Sequence, residues 1–448
     1  MKLYLKIISF LVVIITVFAI FTPASLAMDF DVSAQISDLD KAKNICLYSM
    51  EADKAVFSKN VNDKIFPGSA VKMMTGLIAC EMLSDRLEEV VIITDEMLKE
   101  ASGFNVKLQS GMTVTVENLL YGALCGGGND AALVLAKLCG GSVDGFVALM
   151  NDKAIELGAK NTFFTNPTGL DDSKMFSTLS DIIIVAKKAS QNQLYLDISS
   201  TPSYSYTPVG DVVDIKMFNR NALISTFYAV GYKNPNVMGL ISGNTDLGGY
   251  CTITYSQKNG QSYICAVMGA TADDYAIYSY ELINSLLSYA FNNISYQKIA
   301  TKGQRICYAN VRFVSPEGDF ETQRISCVVS DDVYSLMYSG VDVQTDLAYR
   351  YYFHNEVLDA PFDEGVIVGG VDIMYNGKII GSSILVTGES IEAKPMLLLL
   401  NNLKLFFSGR IFWLSVAFFV LIFLLYYHFA ETRFHHKKAK RINYKNFY

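Results

Sequence analysis

Apolar residues run almost unbroken from Ile7 to Phe21, behind Lys2 and Lys6 and ahead of Pro23-Ala24-Ser25-Leu26-Ala27. A basic lead, an apolar run and a small-residue ending predict a secretory signal peptide over residues 1–27. A second run, Ile411 to Tyr427, carries no charge and has Trp413, Tyr426 and Tyr427 near its edges. It predicts a single membrane-spanning helix with interfacial aromatics. Just before it, over 395–410, Met396, Leu399, Leu400, Leu403, Phe406 and Phe407 share one helical face, a stripe suited to a membrane surface or to a last packing helix.

Between these ends the pattern changes twice. Ile45-Cys46-Leu47-Tyr48 and Ala55-Val56-Phe57 flank Glu51-Ala52-Asp53 and predict a hairpin. A mainly helical stretch follows: an apolar helix after Pro67-Gly68, a pattern opening at Val116 that breaks at Gly126-Gly127-Gly128, then helices over 129–138, 146–157 and 180–190. A short strand, Val90 to Thr94, and a loop from Gly103 to Val114 interrupt it. Strands return at 237–243, 250–255 and 263–269, the last two joined by Asn259-Gly260, before a long helix over 272–291. Strands, a helical insert, strands and a closing helix predict an α+β domain with an antiparallel sheet over residues 28–292. From 293 to 394 the pattern is nearly all strand, with turns at Pro316-Glu317-Gly318 and Asn376-Gly377, and predicts a separate small all-β domain.

Charge orients the ends. Residues 428–448 hold Arg433, Lys437, Lys438, Lys440, Arg441 and Lys445 against Glu431, so the positive-inside rule predicts a cytoplasmic tail and an extracellular bulk. The chain's formal charge of −7 thus hides an asymmetry, a basic tail against an acidic exported part, which argues against a nucleic-acid partner. Eight cysteines are scattered without Cys-x-x-Cys spacing, so no zinc site is expected; Cys307 and Cys327 flank a predicted hairpin. Of four histidines only His354 precedes the apolar run, which disfavours a Ser-His-Asp triad or a histidine-ligated metal.

The candidate chemistry lies at Ser69-Ala70-Val71-Lys72, at the mouth of the first apolar helix. Residues three apart share a helical face, so the Lys72 amine can reach the Ser69 hydroxyl. A serine attacks only when a neighbouring base takes its proton, and a lysine serves when burial or a nearby cation lowers its pKa. The bland reading of the same residues is a helix cap and a solvated lysine.

With Leu47-Tyr48, Asn118-Leu119-Leu120-Tyr121-Gly122, Gly128-Asn129-Asp130-Ala131-Ala132, Asn166-Pro167-Thr168-Gly169-Leu170-Asp171 and Gly249-Tyr250-Cys251 added, the chain resembles the D-alanyl-D-alanine carboxypeptidases of the low-molecular-mass penicillin-binding proteins. The resemblance covers nearly the whole exported part. It implies a β-lactamase/transpeptidase-like peptidase domain, a small β domain and a C-terminal anchor, with no cofactor and no metal. It implies Ser69 as nucleophile, Lys72 as its base and Asn129 as a grip on the substrate amide. Ser242 and Gly243 would bind substrate, peptidoglycan stem peptides would be the substrate, and a β-lactam would be a covalent probe.

Two motif positions depart from the family. Gly127 stands where its Ser-x-Asn motif has a serine, and Ile241 where its Lys-Thr-Gly motif has a lysine. One loses a proton-relaying hydroxyl; the other loses a charge that recruits a carboxylate. Removing one such group commonly costs about 10²–10³-fold in rate. A catalytically degenerate homologue that binds peptidoglycan, or a cell-wall or sporulation partner, is therefore the alternative to an acyl-serine hydrolase. A β-lactamase-type hydrolase ranks third, for want of a clear deacylating glutamate.

Overall fold

The computed structural model describes residue 28, residues 30–314 and residues 323–442, with side chains as far as 433. The predicted signal peptide and the turn at Pro316-Glu317-Gly318 lie outside the described residues.

The chain divides into two compact units. The first runs to Ile299 and takes in 334–347 and 375–381; the second holds 300–333, 348–374 and the chain from 382 onward. The sequence boundary at 293 is thus crossed by later chain. Strand β13 (Val333–Tyr338) returns to pair with β10 (Ile294–Ala300).

The first unit is built on a five-stranded sheet of order β2-β1-β9-β8-β7. Its strands are β1 (Asn44–Ser49), β2 (Lys54–Lys59), β7 (Val237–Thr245), β8 (Gly249–Lys258) and β9 (Gln261–Ala270). Its strands pair antiparallel throughout, and β1 lies beside β9 with Leu47 opposite Cys265. Strand side chains alternate between faces, and β9 shows this directly. Tyr263, Cys265 and Val267 enter one core with the helix Tyr278–Asn293, whereas Ile264, Ala266 and Met268 enter the other with the helical insert.

Helix α1 (Val71–Leu83) is the axis of that insert. Eleven of its thirteen residues are buried, which explains why its sequence is apolar all round rather than striped. Helix α2 (Val116–Leu124) starts at a capping box in which Thr115 and Asn118 bond each other's backbone N–H groups. Helix α3 (Asn129–Gly140) follows the three glycines directly. Neighbours are close: a Cβ on Gly76 would lie 2.3 Å from Leu124 Cδ2. The second unit has a six-stranded sheet around a core that includes Ala309, Ile325, Val371 and Leu385, and Cys307 sits opposite Cys327 as a free thiol.

Near the C-terminus, helices Pro395–Ser408 and Arg410–Ile442 cover the amphipathic and apolar stretches. The segment Arg410–Arg433 contains an 18-residue window of mean hydropathy 2.1 and is long and apolar enough to cross a membrane. This helix runs well past 427, so the basic residues begin on a continuing helix rather than after a break.

Candidate active site

One cleft in the first unit, about 200 Å³ in volume, is lined by Ser69, Lys72, Gly127, Asn129, Ile241, Ser242 and Gly243 together. Residues as far apart in sequence as Ser69 and Gly243 are thus gathered by the junction of α1, the glycine turn and the edge strand β7.

Ser69 does not open the α-helix, as its sequence suggested. It sits in a 3-10 turn, Gly68–Ala70, and the α-helix begins at Val71. Gly68 holds a left-handed φ of +51°, a conformation that favours glycine. On the other side β7 comes so close that a Cβ on Gly243 would lie 2.3 Å from Ser69 Oγ. Only a glycine lets the strand approach the hydroxyl this way.

Lys72 is 5 % exposed, and its amine donates a 2.8 Å hydrogen bond to Thr168 O. Burial lowers its pKa to about 8, and the Arg220 charge pushes the same way. No hydrogen bond joins the amine to the Ser69 hydroxyl among the described residues. The Cys251 thiol, buried behind the pair, is pushed up to about 11 by burial, and so carries no charge near neutral pH.

The acceptor for Lys72 is built by the Asn166-Pro167-Thr168-Gly169-Leu170 turn. Asn166 Oδ1 accepts from Thr168 N, Thr168 Oγ1 and Gly169 N, and its Nδ2 donates to Leu170 O. Thr75 Oγ1 donates to Pro167 O at 2.7 Å and staples the turn to α1. Thr168 was legible only as part of a family resemblance; its role as the amine's partner comes from the fold.

Asn129 Nδ2 donates to Ser102 O, whereas the buried Oδ1 has no partner. Its backbone N–H and the carboxylate of Asp130 bond the backbone of Phe104, Val106 and Leu108, pinning that loop beside the cleft. The glycine turn reflects this crowding. A Cβ on Gly126 would meet Val106 Cγ1 at 2.6 Å, and one on Gly127, whose φ is +73°, would meet Arg220 Cγ at 2.8 Å.

At the third motif Ile241 is buried in the apolar core and brings no charge to the cleft. The Ser242 hydroxyl is turned toward the helix Tyr278–Asn293. It lies 2.8 Å from the Tyr280 hydroxyl and 3.0 Å from Thr252 Oγ1.

Arg220 was missed from sequence. It follows β6 (Ile215–Phe218), its guanidinium 4.1 Å from the Phe104 ring centroid and 4.7 Å from that of Tyr228. The signal available was Asn219-Arg220-Asn221, a polar triplet between Met217-Phe218 and Ala222-Leu223-Ile224. Both asparagines are buried, Asn219 donating to Ser199 O and Thr201 O and Asn221 accepting from Leu223 N.

The family model for D-alanyl-D-alanine carboxypeptidase matches residues 31–272, more than half of the chain. The chain belongs to that family. It is 27% identical over 359 residues to the D-alanyl-D-alanine carboxypeptidase DacF of Bacillus subtilis, covering 79% of this chain and 86% of that one. To the D-alanyl-D-alanine carboxypeptidase DacA of Escherichia coli it is 27% identical over 402 residues, covering 87% and 91%. Among solved structures, penicillin binding protein 5 of Haemophilus influenzae matches at 25% identity with a TM-score of 0.57, covering 79% of this chain and 98% of that one. The carboxypeptidase DacD of Francisella tularensis, at 20% identity, shares the fold with a TM-score of 0.65, covering 84% and 99%.

Proposed function

We propose that this chain is a membrane-anchored serine-type D-Ala-D-Ala carboxypeptidase acting on peptidoglycan stem peptides through an acyl-Ser69 intermediate. The observation that supports it most is the Lys72 amine: enclosed beside Ser69 and brought to a pKa of about 8, it is a competent base near neutral pH. In this reading the Ser69 hydroxyl turns to the amine, gives up its proton and attacks the carbonyl between the two D-alanines. The C–N bond breaks, D-alanine leaves with a proton, and water later releases the acyl group. Asn129, with its free Oδ1 in the cleft wall, receives an N–H of the substrate backbone.

The signal peptide over 1–27, a single span within Arg410–Arg433, an extracellular peptidase unit and a cytoplasmic basic tail complete the proposal. So do the domain limits 28–292 and 293–394, taken as bounds along the sequence, with 334–347 and 375–381 returning to the first unit. Gly127 and Ile241 support the second reading, a homologue that binds peptidoglycan or a cell-wall partner without turnover.

Intact mass spectrometry of the full chain in detergent with benzylpenicillin, beside Ser69→Ala, separates the two. A covalent adduct on the parent alone, followed by D-alanine release from a pentapeptide, supports the carboxypeptidase. No adduct on folded protein after prolonged exposure gives the case to the binding homologue.

A further inference from the structure

The second unit sets two cysteines in register with each other. Cys307 lies on strand β11 (Arg305–Arg312) and Cys327 on strand β12 (Gln323–Val329), and the antiparallel pairing puts them directly opposite. Directly opposite residues of such a pair have Cα atoms about 4.5–5.5 Å apart, inside the span of about 4.4–6.8 Å that a disulfide bridges. Both side chains also leave the same face. Cys307, Ala309 and Val311 alternate into the core of this unit, where Ile325 and Cys327 meet them. The two thiols are close enough to share a hydrogen bond. We propose that Cys307 and Cys327 are a redox-active pair, which closes on meeting a disulfide oxidant to a cross-strand bond that staples β11 to β12, and opens again with a thiol reductant.

Sheet geometry does not favour every such pair. Cys46 and Cys265 lie on the neighbouring strands β1 and β9, yet they enter opposite cores and are held apart. The chemistry at Cys307 and Cys327 runs in two steps, and the two thiols differ in the way those steps need. Cys307 is 7 % exposed and Cys327 0 %, so an oxidant meets Cys307 first. The Cys307 thiolate attacks one sulfur of the oxidant's S–S bond, which breaks, releases one thiol and leaves a mixed disulfide. The Cys327 thiolate then attacks Cys307 Sγ, closes the bond and expels the second thiol. Two cysteines thus lose two electrons and two protons to one disulfide, which becomes two thiols. Burial raises both thiols, Cys307 to about 12, so the exchange is slow at neutral pH; a hydrogen bond from the Ala309 backbone opposes that rise at Cys327. On its other side β12 pairs with β17 (Lys378–Thr387), Cys327 opposite Thr387, in the last strand before the helix Pro395–Ser408. Oxidising conditions are those an exported unit meets. Export bears on where the bond closes, not on whether the pair can close.

The test incubates the full chain in detergent with oxidised glutathione at mildly alkaline pH, quenches in acid, then unfolds and alkylates the protein. Intact mass should fall by two hydrogens before alkylation, and peptide mapping should find Cys307 joined to Cys327 and protected from the reagent. Reductant should return both to the alkylated pool. Cys327→Ala should stop at a glutathione adduct on Cys307, and Cys307→Ala should leave Cys327 free. Amide hydrogen exchange along β11 and β12 should slow about 10–100-fold in the oxidised form and recover with reductant. Both thiols still alkylating after prolonged oxidation, a link from either to another cysteine, or a link between two chains overturns the proposal. A closed bond with unchanged exchange overturns the staple. Acylation by benzylpenicillin, measured on both forms, reports on Ser69 separately, so failure of the carboxypeptidase reading and failure of the thiol pair are told apart.

Discussion

Gly127 and Arg220 occupy adjoining space: a Cβ on the glycine would sit 2.8 Å from Arg220 Cγ and 3.6 Å from its Cβ. Restoring the family serine with Gly127→Ser therefore introduces a side chain into filled volume on a residue whose φ is +73°. A left-handed non-glycine residue and a local overlap together cost about 2–4 kcal/mol. The expected outcome is a lower midpoint of denaturation and slower acylation, not a gain. Faster acylation at unchanged stability would show that the loop relaxes and that the missing hydroxyl alone limits the enzyme.

Ile241→Lys is the complementary repair, and it meets a different obstacle. Ile241 is 3 % exposed and packs in the main apolar core. An ammonium placed there loses its hydration and stands beside Lys72 and Arg220, both lining the same cleft. Denaturant titration should show a loss of about 3 kcal/mol or more. Wild-type stability with faster acylation would mean that β7 can turn position 241 outward.

Gly243→Ala tests the closest approach in the site. The added methyl would fall 2.3 Å from Ser69 Oγ and 2.8 Å from its Cβ. Displacement of a reacting group by about 1 Å can cost about 10²-fold in rate. Acylation should fall by at least that factor while the far-ultraviolet circular dichroism stays native.

How much of this was legible in the sequence depends on the range of the interaction. The hairpin of β1 and β2 was readable because alternation and a turn lie within one short window. The pairing of β1 with β9, by contrast, joins residues such as Leu47 and Cys265 that no local pattern connects. The closing helix was read from Ala272 but starts at Tyr278, because Asp273 Oδ1 accepts from Tyr275 N and Ala276 N and holds a turn there. The strands Ser203–Tyr206 and Ile215–Phe218 went unread; half of the first strand's side chains are exposed and polar. At the site, Ser69 and Lys72 were legible from spacing. Arg220 was not, since its chemistry arises from Phe104, Tyr228 and Gly127, all distant in sequence. What the three glycines were making room for became visible only with the Val106 loop and that arginine in place.

Asn166→Ala removes four hydrogen bonds that shape the turn presenting Thr168 O to Lys72. At about 0.5–1.5 kcal/mol each, partly offset by relaxation, the loss should be about 2–4 kcal/mol. Acylation should slow by more than the folded fraction accounts for, because the amine loses its fixed acceptor. A variant that is destabilised but acylates normally once folded would remove the turn from the site's machinery.

The pH dependence follows from Lys72. Its pKa is lowered from 10.5 to about 8, first by burial and also by the charge of Arg220. A base acts when unprotonated, so below pH 8 acylation should rise about tenfold per pH unit and level off above it. Arg220→Gln removes a positive neighbour, favours the protonated amine and should move that limb to higher pH. Stability runs with the same sign. Between pH 8 and 10.5 the unfolded chain holds a proton that the folded chain has released, so stability contributed by this group grows with pH across that window. Below pH 8 both states are protonated and the penalty for burying the charge is fully present. Lys72→Met should abolish acylation, flatten this part of the stability profile and leave the folded state no less stable at pH 7. A profile unchanged by the substitution, measured by denaturant titration across pH 7 to 10.5, would place the low-pKa amine elsewhere and take the base away from Lys72.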